Sequence, residues 1–534
     1  MHFSQDAAHL PLPVQTYFIP LKEADVLTET FQGINSEAEA PVQSYTSIAI
    51  GVSGTVIWFD QHEDGYESDI LSPSSSTTEI WGDGNPANGM PPGHTEDILE
   101  AGEVIVLHSL VPVPRGTEFF FDGGDKIMSS FSIAVTRGCF PYMDAGGGED
   151  RGSMLAGAVE VLDTNSWGTY FESPIGEDSL TNERFEQTQM YVMAGEEGAQ
   201  VTIESTSGTK THNLGPGESA LERVDMGATL TASSKVQVDI LAGDIGSVFE
   251  MRWFSLLPIE DWSNKYLSPV GNSRAEVVAY VYNPLDGPNK LNVDYTEHTV
   301  GTKTLSVPRG GIQVTEVLDT NRGTLFESNG KFMVFTVIDT VGAGQTYDWG
   351  APVAPYDSLT PQALVGWGDG CTNDVCDGHT DQQRSELWIS PTKDATCMVD
   401  FDNDGVMDQF EVKDGEGIDA TTTLVTSVDL EATEATNLWD HNDKDMTGAM
   451  IKCEDANGAP VPFAAVWGQN PDQSKGGDVS ALEMQSVACE NDLDTYSQMP
   501  NSLVGFSELR TRFGNSYSSL PMYRHGPVCM LDCR

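Results

Sequence analysis

Val399-Asp400-Phe401-Asp402-Asn403-Asp404-Gly405-Val406-Met407-Asp408 is an acidic turn between two apolar runs of β type. It has a counterpart far upstream in Trp58-Phe59-Asp60-Gln61-His62-Glu63-Asp64-Gly65-Tyr66-Glu67. Asp60 falls on Asp400, Asp64 on Asp404 and Gly65 on Gly405. The match reads as one hairpin used twice, and therefore as a chain built by repeating all-β modules. A second echo lies mid-chain. Gln189-Met190-Tyr191-Val192-Met193 opens a unit with a turn at Gly215-Pro216-Gly217 and a closing Trp262. Val278-Ala279-Tyr280-Val281-Tyr282 opens a similar unit with a turn at Pro308-Arg309-Gly310-Gly311 and a closing Trp349. The period of roughly 90 residues is that of a β-sandwich domain.

The intervening sequence agrees. Runs such as Thr55-Val56-Ile57-Trp58-Phe59 and Glu103-Val104-Ile105-Val106-Leu107 are short, β-rich and bounded by Gly or Pro clusters, while amphipathic helical windows are scarce. The 53 Gly and 28 Pro suit many short strands and tight turns. At 534 residues the chain is too long for one core. The expectation is an all-β fold of tandem β-sandwich modules over residues 15–176, 183–268, 274–360 and 384–490, with an extended C-terminal arm over 491–534.

A net charge of −54 sets aside nucleic acid, which needs clustered Lys and Arg, and electrostatic attraction to an anionic membrane. No stretch reaches the roughly 20 apolar residues that span a bilayer. Met1 to Leu12 has neither a basic n-region nor an apolar h-region, so the expectation is an intracellular protein or a mature chain already trimmed. A chain this acidic repels itself, and dense assembly requires salt, divalent ions or a basic partner.

Candidate chemistry is sparse. Asp400, Asp402, Asp404 and Asp408 have the spacing of alternate carboxylates around one hard cation, with Gly405 allowing the sharp turn. Ca2+ binding and a plain acidic β-turn are both open readings. His62 in place of the central Asp makes Ca2+ the weaker reading for the first copy. Cys371-x4-Cys376-x2-His379 with Cys397 has an irregular spacing for zinc, and the eight Cys read more simply as buried thiols. Trp81-Gly82-Asp83-Gly84 and Trp367-Gly368-Asp369-Gly370 read as turns closed by a packed aromatic, with sugar stacking as the alternative. Nucleophile-elbow, zincin, P-loop and Rossmann signatures are missing, so no enzyme activity is expected. The segment 501–534 is locally basic and reads either as a strand that completes the last module or as an arm that docks on an acidic neighbouring subunit, with Phe506, Arg510, Arg512, Phe513, Tyr517, Tyr523 and Arg524 as its candidate anchors.

The motifs Tyr17-Phe18-Ile19-Pro20-Leu21, Phe59-Asp60-Gln61-His62-Glu63-Asp64-Gly65-Tyr66-Glu67, Trp81-Gly82-Asp83-Gly84-Asn85-Pro86, Phe121-Asp122-Gly123-Gly124-Asp125-Lys126-Ile127, Arg252-Trp253-Phe254 and Ala464-Ala465-Val466-Trp467-Gly468-Gln469 occur in series. Over residues 15–475 the chain thereby resembles large bacterial surface proteins of tandem β-sandwich type and their algal relatives. Among the latter it is similar to the diatom pyrenoid shell proteins. That resemblance implies no catalytic residues. It implies a soluble protein of the chloroplast stroma that assembles with copies of itself into a sheet or tube around the Rubisco-containing pyrenoid, with Rubisco or a linker protein as further partner. The bacterial surface proteins continue past the Trp-Gly-Gln motif into further repeats, whereas this sequence runs to Arg534, which favours the shell expectation. The rival expectation is an extracellular, Ca2+-stabilised adhesin or cell-wall protein with disulfides among its eight Cys.

Overall fold

A computed structural model describes residues 13–36, 38–74, 77–143, 157–178, 185–246, 251–271, 275–318, 322–340, 349–367, 385–414, 421–442, 446–469 and 501–502. The β-rich run Val104–Val111 becomes a strand whose side chains point in turn to the core and outward. Strands of this kind dominate, and the fold is all-β, in antiparallel sheets packed as sandwiches. A short helical stretch over residues 23–34 follows the first strand.

The first sandwich is formed by β1 (Gln15–Phe18), β2 (Ala38–Ile50), β3 (Ile57–Asp60), β4 (Thr78–Trp81), β5 (Val104–Val111), β6 (Lys126–Ser129), β7 (Ile133–Met143) and β8 (Gly157–Glu160). Its layers run β1-β6-β3-β4 and β5-β2-β7-β8. The second contains β9 (Gly168–Glu172), β10 (Gln187–Ala194), β11 (Ala199–Ser205), β12 (Gly208–Leu214), β13 (Ser219–Arg223), β14 (Thr229–Gly243) and β15 (Arg252–Ser255). Here the long β14 serves both layers. Its first part pairs β9 and β11, its second part pairs β10 and β15, and the register shifts between Thr231 and Val236.

The third sandwich repeats the second strand for strand. It consists of β16 (Ser263–Ser268), β17 (Ala275–Asn283), β18 (Lys290–Glu297), β19 (Gly301–Pro308), β20 (Gly311–Val314), β21 (Thr324–Thr340) and β22 (Trp349–Pro352). The order β19-β18-β21-β17-β20 copies β12-β11-β14-β10-β13, and β16 and β22 join β21 as β9 and β15 join β14. The fourth repeats the first. Its strands are β23 (Gln362–Leu364), β24 (Ser385–Pro391), β25 (Ala395–Asp400), β26 (Phe410–Asp414), β27 (Thr421–Val425), β28 (Val428–Leu430), β29 (Thr436–Asp440), β30 (Met450–Glu454), β31 (Phe463–Gln469) and β32 (Asn501–Ser502). The layer β23-β30-β25-β28 copies β1-β6-β3-β4, and β29-β24-β31-β32 copies β5-β2-β7-β8. The hairpin β26–β27 is an insertion that extends the second layer beyond β29.

The acidic turns are therefore equivalent, but they are not one hairpin used twice. β3 pairs with the next strand, β4, whereas β25 pairs with β28 because β26–β27 crosses to the opposite layer. Strand pairing also crosses the stretches read from sequence. Gly168–Glu172 lies within 15–176 yet pairs in the second sandwich, Ser263–Ser268 lies within 183–268 yet pairs in the third, and Asn501–Ser502 pairs with β31.

The sandwiches share cores instead of meeting at polar joints. Phe18, Leu21 and Val42 of the first pack with Tyr191, Met193 and Trp253 of the second. Phe254 of the second stacks on Phe335 of the third, with ring centroids 5.3 Å apart. Trp388 and Val466 of the fourth join the core of the third. Tyr45 of the first packs on Trp367 of the fourth at 4.7 Å, and Ser47 donates to the Gly366 carbonyl. Equivalent strands meet, β15 against β22 and β8 against β32. This is the contact pattern of an isologous dimer within one chain.

Candidate metal centres

Asp400 is the last residue of β25, and the turn after it is closed by backbone amides. The Asp404 and Gly405 amides donate to Asp400 Oδ1 and Oδ2 at 3.1 and 2.9 Å, and the Asp404 amide also donates to Asp402 Oδ1 at 3.2 Å. The Phe401 amide donates to Asp408 Oδ2 at 2.8 Å. Gly405 has φ +84°, a left-handed conformation that costs a glycine little. Carboxylate oxygens of Asp400, Asp402 and Asp408 lie within 4.8 Å of one another. Asp404 is not part of this group, and its Oδ1 accepts from the Val406 amide at 2.7 Å. Burial pushes the Asp400 carboxyl up to about 6, opposed by the Gly405 amide and reinforced by the neighbouring aspartates. Three converging carboxylates can take a hard cation. Because each already accepts an amide proton, the turn is also self-sufficient.

In the first sandwich the equivalent aspartate has a different use. Asp60 is buried against Lys126 Nζ at 2.8 Å and accepts from Thr78 Oγ1 and the Glu67 amide. The acidic group instead forms further along the turn, where His62 and Glu63 meet Asp122 and Asp125 from the loop before β6. One ligand atom from each lies within 4.8 Å of the others. His62 Nδ1 is 3.6 Å from Glu63 Oε2 and 3.7 Å from Asp125 Oδ1. Arg115 bonds Asp122 Oδ2 through Nε at 2.7 Å and Glu63 Oε1 through Nη2. The Asp125 carboxylate accepts the His62 amide at 3.3 Å and the Asp122 amide at 3.2 Å. Burial, with Lys22 and Arg115 close by, holds the His62 imidazole down at about 4. Burial and the Glu23 charge push Asp122 up to about 7 despite Arg115, and burial together with Asp122 and Glu63 pushes Asp125 upward as well. Sequence reading missed this group because Asp122 and Asp125 stand about sixty positions from His62. The register Asp60↔Lys126 between β3 and β6 brings them together.

The cysteines need a correction. Cys397 and Cys453 are not free thiols but form a disulfide between adjacent positions of β25 and β30, buried in the core of the fourth sandwich. This removes Cys397 from any zinc set, and Cys371, Cys376 and His379 lie outside the described residues. Cys139 is a buried free thiol. Trp81 and Trp367 are core residues, Trp81 stacked on Phe59 at 4.9 Å, so neither presents a face to a sugar. Phe506, Arg510, Arg512, Phe513, Tyr517, Tyr523 and Arg524 lie outside the described residues.

No family model and no curated protein matches the chain. Among solved structures, a chain described as an anti-sigma factor domain-containing protein from Clostridium clariflavum aligns with 78% of this chain and 94% of its own length, at 10% identity and a TM-score of 0.10. A likeness this slight carries no argument.

Proposed function

We propose that the protein is a non-enzymatic structural component that assembles with copies of itself into a sheet or tube enclosing the Rubisco-containing pyrenoid. One observation carries the assembly reading. The second and third sandwiches each end a layer in an exposed edge strand, β12 and β19, and the two edges carry the same residues, Gly208-Thr209-Lys210-Thr211 and Gly301-Thr302-Lys303-Thr304. A monomer with duplicated edges offers two equivalent valencies, the minimum for open-ended growth. Unpaired amides and carbonyls along such edges accept a further strand. The edge lysines restrain pairing in dilute solution, and with a charge of −54 growth requires screening or divalent ions. The shared cores suit a stiff tile, since bending at a joint would expose aromatic side chains such as Phe254 and Phe335. The pyrenoid location, and Rubisco or a linker as partner, rest on the resemblance to the shell proteins of diatoms.

Negative-stain electron microscopy of the purified chain across salt and divalent-ion concentrations tests this reading. Sheets or tubes of protein alone are expected, and deletion of 503–534 is expected to abolish them if the arm locks subunits. Monomers in every condition would refute assembly.

The Cys397–Cys453 disulfide favours a second reading, an extracellular wall protein or adhesin, because disulfides persist in oxidising compartments. Persistent monomers together with a disulfide-bonded native protein would select it.

A further inference from the structure

We propose that His62, Glu63, Asp122 and Asp125 bind one divalent transition-metal ion of the Zn2+ or Mn2+ class. The sequence assigned its candidate Ca2+ to the fourth sandwich. The first sandwich holds the more distinctive donor set.

The internal repeat supplies the decisive comparison. The Gly124 amide donates to the Ile19 carbonyl at 2.8 Å, as the Gly448 amide donates to the Val365 carbonyl at 2.9 Å. The Ile19 amide donates to the Asp125 carbonyl as the Val365 amide does to the Ala449 carbonyl, and the Asp125 amide donates to the Asp122 carbonyl as the Ala449 amide does to the Met446 carbonyl. The two loops thus share one backbone, with Asp122 on Met446 and Asp125 on Ala449. Met446 and Ala449 are both buried in an apolar core. The fold closes this loop without carboxylates, so the pair in the first sandwich is there for another reason. Its cost is considerable, because two carboxylates 2% and 1% exposed stand beside a third, Glu63.

Asp122 Oδ1, Glu63 Oε2 and His62 Nδ1 are all buried and make no hydrogen bond. Arg115 occupies the other oxygens of Glu63 and Asp122. The remaining nearby acids are already matched, Asp60 with Lys126 and Glu23 with Arg137. Glu63 and Asp122 share Arg115 and Asp125 meets only the His62 and Asp122 amides, so even with Lys22 close to His62 three carboxyl groups face two cationic side chains, a site with room for further positive charge. An imidazole nitrogen beside carboxylate oxygens at 3.6 and 3.7 Å is an arrangement that a shared cation would draw together. The imidazole sets the class of ion, since Ca2+ and Mg2+ prefer oxygen alone whereas Zn2+ and Mn2+ accept mixed nitrogen and oxygen donors.

The test is calorimetric titration of the full chain, stripped with chelator and held in physiological salt to suppress diffuse binding, with Zn2+, Mn2+ and Ca2+ in turn. Saturable uptake of one equivalent of Zn2+ or Mn2+ is expected at this site, with Ca2+ weaker. His62→Ala is expected to weaken it by at least about tenfold. The double variant Asp122→Met with Asp125→Ala installs the pair that the fourth sandwich tolerates, so it is expected to retain its circular dichroism and lose binding. Glu204→Gln, at an exposed position of the second sandwich outside both acidic groups, is expected to leave binding unchanged. Diffuse uptake without a saturating equivalent, or uptake that persists in both His62→Ala and the folded double variant, would overturn the proposal.

Discussion

Removing the Cys397–Cys453 bridge by the double substitution Cys397→Ala and Cys453→Ala tests the core of the fourth sandwich directly. The two residues are 56 positions apart. In the chain-entropy description, a loop of that size restricts the unfolded chain by about 14 cal/mol/K, or about 4 kcal/mol at room temperature. Both positions are buried, so loss of the sulfur atoms leaves small voids that add about 1–2 kcal/mol. The expected loss is therefore about 5 kcal/mol, a large part of what a single domain has available. Urea unfolding followed by tryptophan fluorescence, to which Trp439 and Trp467 of this core contribute, measures the loss. Peptide mapping of the unreduced protein measures the bond itself. A double variant within about 0.5 kcal/mol of the parent, or maps with Cys397 and Cys453 as free thiols, would refute the reasoning.

Three further outcomes concern carboxylates. Asp239 is fully buried, and burial lifts its carboxyl to about 7 against hydrogen bonds from Ser255 and Gln237. The folded state therefore keeps a proton that the unfolded chain has lost, so this contribution is complete below about pH 4 and fades as pH rises through 7, by on the order of 4 kcal/mol. Melting curves at pH 5 and pH 8 should show a fall that is smaller in Asp239→Asn, and equal falls would refute it. Glu23→Gln leaves Arg137 buried without its carboxylate and should cost about 3–5 kcal/mol in chemical denaturation, with a loss under about 1 kcal/mol as the refuting result. If Asp400, Asp402 and Asp408 hold Ca2+, millimolar Ca2+ should raise the melting temperature of the parent but not of Asp402→Asn. The chelated melting temperature should be unaffected because Asp402 is exposed, and a parent indifferent to Ca2+ would settle against the site.

Local patterns in the chain determined its strands and its class. Val104–Val111 is rich in β-branched and apolar residues and so reads locally as a strand, although the face it buries is not written in it, since Ser109 is buried and Leu110 exposed. The likeness of the second and third sandwiches was also legible, since Met190 to Met193 and Val278 to Val281 occupy the same central strand and keep the same apolar pattern. The first and fourth sandwiches share little beyond the turns at Gly65 and Gly405, where a left-handed backbone selects glycine. Their common order emerged only from strand pairing, because β26–β27 displaces the later strands in sequence without altering the ladder. The partner of Cys397 and the grouping of His62 with Asp122 and Asp125 were tertiary decisions for the same reason. A turn's chemistry depends on its neighbours along the chain, but the residues across from it are chosen by sheet register, and register is set by burial of whole faces over long separations.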